Sequence, residues 1–196
     1  KHKLLLQKYH NNQLINLHFK EINGGVARAK NTSIKLLMDK KVDIGFLMDD
    51  DVEYKLDCLD KYVDTILKGQ IHHMSYCQMN PIVHPKSTWE KRGYVIKYIN
   101  QQPVMNHKGR GVGCLLSFTP ELINKIGYFK VMEGKYGFEH INFTYRCIHH
   151  NIIPYAMDII KPSKYMVHIG FEPIENNQFK KSHSISEEYR ISENNK

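Results

Sequence analysis

The apolar run Ile44-Gly45-Phe46-Leu47 passes directly into Met48-Asp49-Asp50-Asp51. From Val42 to Met48 the chain is nearly continuous in apolar residues, broken only by Asp43. That pattern suits a central parallel strand covered on both faces. Three adjacent carboxylates repel one another, and folded proteins rarely set them at the end of a buried strand without a cation. Hard oxygen ligands suit Mg²⁺ or Mn²⁺, which also bind phosphates. The chemistry expected here is a metal-dependent site for a phosphate-bearing ligand. A calcium loop is rejected, although Asp49, Asp51 and Glu53 alternate. Its sixth position would be Tyr54, where the turn needs Gly, and a strand rather than a helix leads in. The plain alternative is a solvated acidic turn, common for one or two Asp and less so for three after a buried strand.

Around this strand the periodicity predicts alternating elements. The first ten residues, with Leu4, Leu5, Leu6 and Tyr9, read as the end of a helix. Leu14 to Phe19 alternates as a strand, and Asn23-Gly24-Gly25 is a turn. Val26 to Lys40 reads as a helix, and so does Leu56 to Leu67, whose Leu56, Leu59, Val63 and Ile66 fall near helical spacing. Helix, strand, helix, strand, helix is an α/β layer pattern. Ligands in such sheets bind beyond the carboxyl ends of the strands, where the Asp triplet lies. Further on, Met74 to Met79, Tyr94 to Ile99 and Ile152 to Ile160 read as strands, with Pro81, Pro85 and Trp89 in a loop. Thr119-Pro120-Glu121-Leu122 opens a short helix with Thr as cap and Pro at its first position, ended by Gly127. Phe138 to His149 reads as another helix.

Composition sets bounds on partners. At 196 residues, 41% hydrophobic and 24% charged, the chain is ordinary globular material for one domain. No apolar run approaches ~18 residues, so no membrane span is expected. A formal charge of +8 with a pI near 9.2 points to an anionic partner: a nucleotide, a polyanionic glycan or, by peripheral contact, a membrane surface. The basic residues are scattered, which disfavours nucleic acid. Cys58, Cys77, Cys114 and Cys147 form no C-x-x-C pair, so zinc is disfavoured. Dispersed cysteines read as buried free thiols and suggest a reducing, cytoplasmic setting. The chain opens on Lys1 with no signal peptide, as a fragment would.

Three other constellations bear chemistry. Gly137-Phe138-Glu139-His140-Ile141-Asn142-Phe143-Thr144-Tyr145-Arg146 sets an acid and an imidazole at a helix start. The helix dipole alone would favour Glu139 there. Asn23-Gly24-Gly25-Val26-Ala27-Arg28-Ala29-Lys30-Asn31 sets two Gly before a basic helix, which can receive phosphate. His168, after an apolar stretch, gains interest only from the company of the triplet.

In this order, the Gly-Gly-Val-Ala-Arg-Ala-Lys-Asn segment, the strand ending in Asp49-Asp50-Asp51, the Gly-rich Gly109 to Gly113, the Gly-Phe-Glu-His helix and the late His168 resemble a known family. The chain looks like the GT-A fold glycosyltransferases, especially the family 2 type and its chondroitin-polymerase and galactofuranosyltransferase-like relatives, over roughly Leu14 to Gly170. The resemblance implies a single Rossmann-like α/β domain over residues 1–177, with a mostly parallel central sheet flanked by helices. A polar tail or peripheral helix follows at 178–196. The family's first strand and its nucleotide-base loop are not visible after Lys1. The implied activity is metal-dependent transfer of a hexosyl or N-acetylhexosaminyl group from a nucleotide-diphosphate sugar, expected to be a UDP-sugar, to a hydroxyl of a glycan or other acceptor, with inversion.

By the same resemblance, Asp49 or Asp50 lies near the ribose and diphosphate. Asp51, with Asp49 and the late His168, holds Mn²⁺ or Mg²⁺. Lys30, Asn31, Gly111 and Gly113 line the donor site. Glu139 and His140 stand where the family has Glu-Asp, whose Asp is often the acceptor base, so here either His140 or Glu139 takes that part. The alternatives are a sugar nucleotidyltransferase and a non-catalytic carbohydrate- or polyanion-binding domain that keeps the fold.

Overall fold

A computed structural model describes residues 2–13, 15–50, 52–55, 57–77, 90–91, 93–107, 112–131, 138–160 and 166–168, with the side chains of 2, 112, 113 and 166–168 left aside. Asp51, Gly111, the loop containing Pro81, Pro85 and Trp89, and the expected tail at 178–196 lie outside the described residues.

Turn and cap residues set the helices. α1 covers His2–Asn11. α2, Val26–Asp39, begins after Gly25, whose φ of 87° is readily adopted only by glycine. The Gly25 amide is held by Asn23 Oδ1 at 3.0 Å. α3 covers Cys58–Gly69. α4, Pro120–Ile126, has Thr119 as its cap, accepting from the Leu122 amide, and Gly127 at φ 74° as its stop. α5 is Glu139–His149, entered through Phe138 in the left-handed region at φ 57°.

The strands are β1 Gly45–Met48, β2 Val52–Tyr54, β3 Ser75–Tyr76, β4 Val95–Ile99, β5 Gln102–Asn106, β6 Val112–Phe118, β7 Met157–Ile159 and β8 Met166–His168. They form a sheet in the order β1-β6-β3, another in the order β4-β5-β7, and the ladder β2-β8. Every pairing among the described residues is antiparallel.

β1 lies against β6, with Gly45 opposite Phe118 and Met48 opposite Leu115. Its burial alternates, with Gly45 and Leu47 inside and Met48 exposed, so it is not covered on both faces along its length. One core gathers Ile34 of α2, Leu47 of β1, Tyr62 of α3, Leu116 of β6, Phe143 of α5 and Met157 of β7. α3 is tied to β7 by the Tyr62 hydroxyl, which donates to the fully buried Asp158 carboxylate. The Asp158 carboxylate also accepts from the Cys77 amide at 2.6 Å, joining β7 to the segment after β3. All four cysteines are free and buried.

Several elements depart from expectation: the periodicity predicts none of the strands β2, β5, β6 and β8, and the strand expected over Ile152 to Ile160 forms only at Met157–Ile159. Ile15 to Lys20 form no strand. Their alternation has no ladder to join, Phe19 is half exposed, and the Ile15 carbonyl accepts instead from His10 Nδ1 at 3.1 Å. β5 was not anticipated because Pro103 interrupts it. Pro103 pairs with Tyr98 of β4 but lies before the β7 ladder, which starts at Val104, so its missing N–H costs no bond to β7. The β4–β5 turn is Asn100-Gln101, both at positive φ, as a two-residue hairpin requires.

Phe118 lies so close over Gly45 that a Cβ there would come within 2.2 Å of its ring. Phe118 is buried and cannot swing aside freely. Gly45→Ala should destabilise the protein by about 1–3 kcal/mol. Phe118→Leu should relieve part of that loss in the double variant, a non-additivity readable by urea unfolding.

Candidate active site

The acidic turn is built on one carbonyl. Asp49 follows β1, and its amide donates to the Cys114 oxygen of β6 at 3.0 Å. The hydroxyl of Tyr54, in β2, donates to the same oxygen at 2.6 Å. Two bonds to one buried acceptor fix the start of the Asp triplet and the strand that leaves it. Burial, then the neighbouring Cys114 and Asp49, push the Tyr54 phenol well up, so it remains a neutral donor.

Asp49 is half-buried and Asp50 exposed. Gly113 lies in β6 next to Cys114, whose carbonyl holds the triplet's start. The β2–β8 ladder sets the His168 backbone opposite Val52, the residue after Asp51. The strand pairing thus sets the backbone of the late His beside the strand that follows the Asp triplet. No cluster of three His, Cys, Asp or Glu side chains suited to a metal occurs among the described residues, which include neither Asp51 nor the His168 side chain. The residue types of the expected set, carboxylates with one imidazole, suit a divalent ion by their chemistry.

A second group surrounds the start of α5. Lys30 Nζ of α2 lies 3.3 Å from Glu139 Oε1, across 109 residues of chain. His140 Nδ1 lies 3.7 Å from the same oxygen, a contact longer than a hydrogen bond. Both ends of the Lys30–Glu139 pair are sequestered, with side-chain exposures of 11% and 8%, while His140 is 19% exposed. Burial alone would raise the Glu139 carboxyl. Contact with His140 and the charge of Lys30 outweigh it and hold the group down at about 2. Glu139 is therefore an anion near neutral pH.

α2 packs on β1, and the short link at 40–44 turns the chain back between them. From Asp39 back to Lys30 the helix rises about 13 Å. From Gly45 to Asp49 the strand rises about as far.

Asn31 faces elsewhere. Its amide accepts from the Phe129 N–H at 2.8 Å and donates to the Phe129 carbonyl at 2.9 Å. This two-way bond ties α2 to the segment after α4. Arg146 closes the other side of that segment, donating to the carbonyls of Ile126 at 2.6 Å and Tyr128 at 2.7 Å.

The chain was compared with known proteins. No family model matches it. It is 39% identical over 166 residues to an uncharacterized glycosyltransferase of Acanthamoeba polyphaga mimivirus, across 84% of this chain and 61% of that protein. The two chains are homologous. This chain therefore spans about three-fifths of the length of the curated relative it matches.

Sequence reasoning did not find the floor beneath α5. His73 is fully buried between β6 and α5. Its Nδ1 donates to the Ser117 carbonyl at 2.7 Å, which fixes the tautomer, and its Nε2 accepts from the Thr144 hydroxyl at 2.9 Å. The only local signal was the His72-His73 pair between Ile71 and Met74. Burial lowers the imidazole to about 4, outweighing the Ser117 bond.

In the unfolded chain His73 binds a proton below about pH 6.5, whereas in the folded chain it resists down to about 4. The unfolded state therefore holds more protons in this window, and stability falls with pH. The loss from pH 6.5 to 4 should be roughly 3 kcal/mol. Glu139, depressed to about 2, adds to the loss below its ordinary value of 4.5. Urea midpoints measured from pH 7 to 4 should show the decline, and His73→Gln should flatten its upper part.

Proposed function

We propose that this protein is a metal-dependent glycosyltransferase that moves a sugar from a nucleotide-diphosphate donor, in our reading a UDP-sugar, to an acceptor hydroxyl with inversion. The frame we propose is the GT-A type of α/β domain. Homology to the mimivirus glycosyltransferase supports glycosyl transfer as the general activity. The observation that carries the finer reading is the strand register. It pairs the His168 backbone with Val52, in the strand that follows the acidic turn, while the Asp49 amide is held by Cys114, and this supports the metal reading.

The roles follow from chemistry. Asp49, Asp51 and His168 would hold Mn²⁺ or Mg²⁺. A bound divalent ion would supply Lewis-acid stabilisation of the diphosphate leaving group. Asp50, exposed beside them, is free to face the ribose or diphosphate. Gly113 leaves β6 open to close approach by the donor, since glycine adds no side chain. The acceptor hydroxyl needs a base, and the described residues offer the Glu139–His140 pair at the start of α5. Asn31 acts on the donor side indirectly, by locking the Phe129 segment onto α2.

Calorimetric titration of the full-length protein with UDP, with and without Mn²⁺, tests the donor half. Binding should require the ion and should weaken by at least tenfold in Asp51→Ala. Equal affinity with and without Mn²⁺, or unchanged binding in Asp51→Ala, overturns the metal assignment.

A further inference from the structure

Two adjacent residues, Glu139 and His140, are both candidates for the acceptor base, yet their surroundings differ. Glu139 is nearly closed off from solvent and shares Oε1 between Lys30 at 3.3 Å and His140 at 3.7 Å. A carboxylate held down at about 2 is a weak base, and its proton affinity is far from the neutral optimum for general-base work. His140 is the more accessible of the two. Its Nδ1 faces the carboxylate, and among the described residues its Nε2 has no hydrogen-bond partner.

We infer that His140 is the base and that Lys30 and Glu139 are positioning residues, an anchored carboxylate that orients the imidazole through Nδ1. The inference rests on the proposed glycosyl transfer and deepens it. Lys30 thereby serves the acceptor side rather than gripping the donor phosphates. The geometry has the parts of a base with an orienting acid behind it. At 3.7 Å the Nδ1–Oε1 contact is loose, as such contacts commonly are before substrate binds.

In the transfer step, the acceptor oxygen forms a bond to the anomeric carbon of the sugar. The bond from that carbon to the diphosphate oxygen breaks, and the diphosphate leaves with the electron pair. The hydroxyl proton passes to His140 Nε2. The resulting imidazolium is stabilised by the Glu139 charge and later releases its proton to solvent. Among the described residues, the charged and titratable groups around His140 are Glu139 on its own helix, Lys30 from α2, and His73 from the segment before β3. His73 is buried and neutral, so it supplies no competing charge near pH 7.

Nitrogen-15 NMR of the full-length protein tests the arrangement without requiring turnover. In the neutral ring, His140 should carry its proton on Nδ1. Glu139→Gln should shift the ring toward the Nε2–H form that free imidazole side chains favour. An unchanged tautomer in Glu139→Gln overturns the orienting role even if the protein transfers sugar.

Kinetics supply the second arm. His140→Ala should lower kcat by roughly 10²-fold or more. Lys30→Met should lower kcat by about tenfold and leave UDP–Mn²⁺ affinity unchanged, with Lys30→Arg restoring most of the rate, because the anchor is a charge. If Lys30→Met instead weakens UDP binding at unchanged kcat, Lys30 is a donor ligand and the inference fails. If Glu139→Gln abolishes transfer while His140→Ala keeps the full rate, Glu139 is the base. Failure of every variant and of the parent to turn over any donor, with the tautomer as expected, refutes the glycosyltransferase reading but leaves the orienting pair intact.

Discussion

Strand β6 is the constraint on which the remaining structure depends. It lies between β1 and β3 and is paired along both edges. Cys114, Leu115, Leu116, Ser117 and Phe118 are all buried. A strand filled on both edges and both faces has few alternatives in register. A slip of one residue would exchange the side chains of its two filled faces and set Phe118 away from the gap at Gly45. Phe118 fits only because that cross-strand position has no side chain.

The two halves of the proposed site hang from different points of this strand. Near its start, the Cys114 carbonyl receives Asp49 and Tyr54, fixing the acidic turn. Near its end, the Ser117 carbonyl receives His73, which in turn accepts from Thr144 on α5. α5 then carries Glu139 and His140 at its amino end, and Lys30 ties that end to α2. The two bonds of His73 are buried, and their loss would leave unpaired polar groups inside. The separation of the acidic turn and the Glu139–His140 pair is thereby set through β6 rather than by loops.

Much of this was legible in the sequence. α2, α3, α4 and α5 follow from apolar spacing and from Gly24-Gly25, Thr119-Pro120 and Gly127, because helix signals are local. The pairing partners were not legible. Nothing in Gly45 announces Phe118, which lies far along the chain. Ile15 to Lys20 shows why alternation alone misleads: a strand needs a neighbour, and His10 satisfied that backbone instead. For the candidate site, residue types and order singled out Glu139, His140, Lys30 and Asn31. Their contacts were hidden, since Lys30 meets Glu139 and Asn31 meets Phe129 only in the folded chain. Tyr54 and His73 escaped notice because one looks like any strand aromatic and the other like any core polar residue.

The central claim is that the anchored pair at α5 and the acidic turn on β6 serve one transfer reaction. The most direct measurement is release of nucleoside diphosphate by the full-length protein from a panel of nucleotide-sugars, with Mn²⁺ and glycan acceptors present. The account predicts that at least one donor is consumed, that chelation stops it, and that added acceptor accelerates it. Absence of release from every donor at saturating Mn²⁺, by protein shown to be folded, would contradict it.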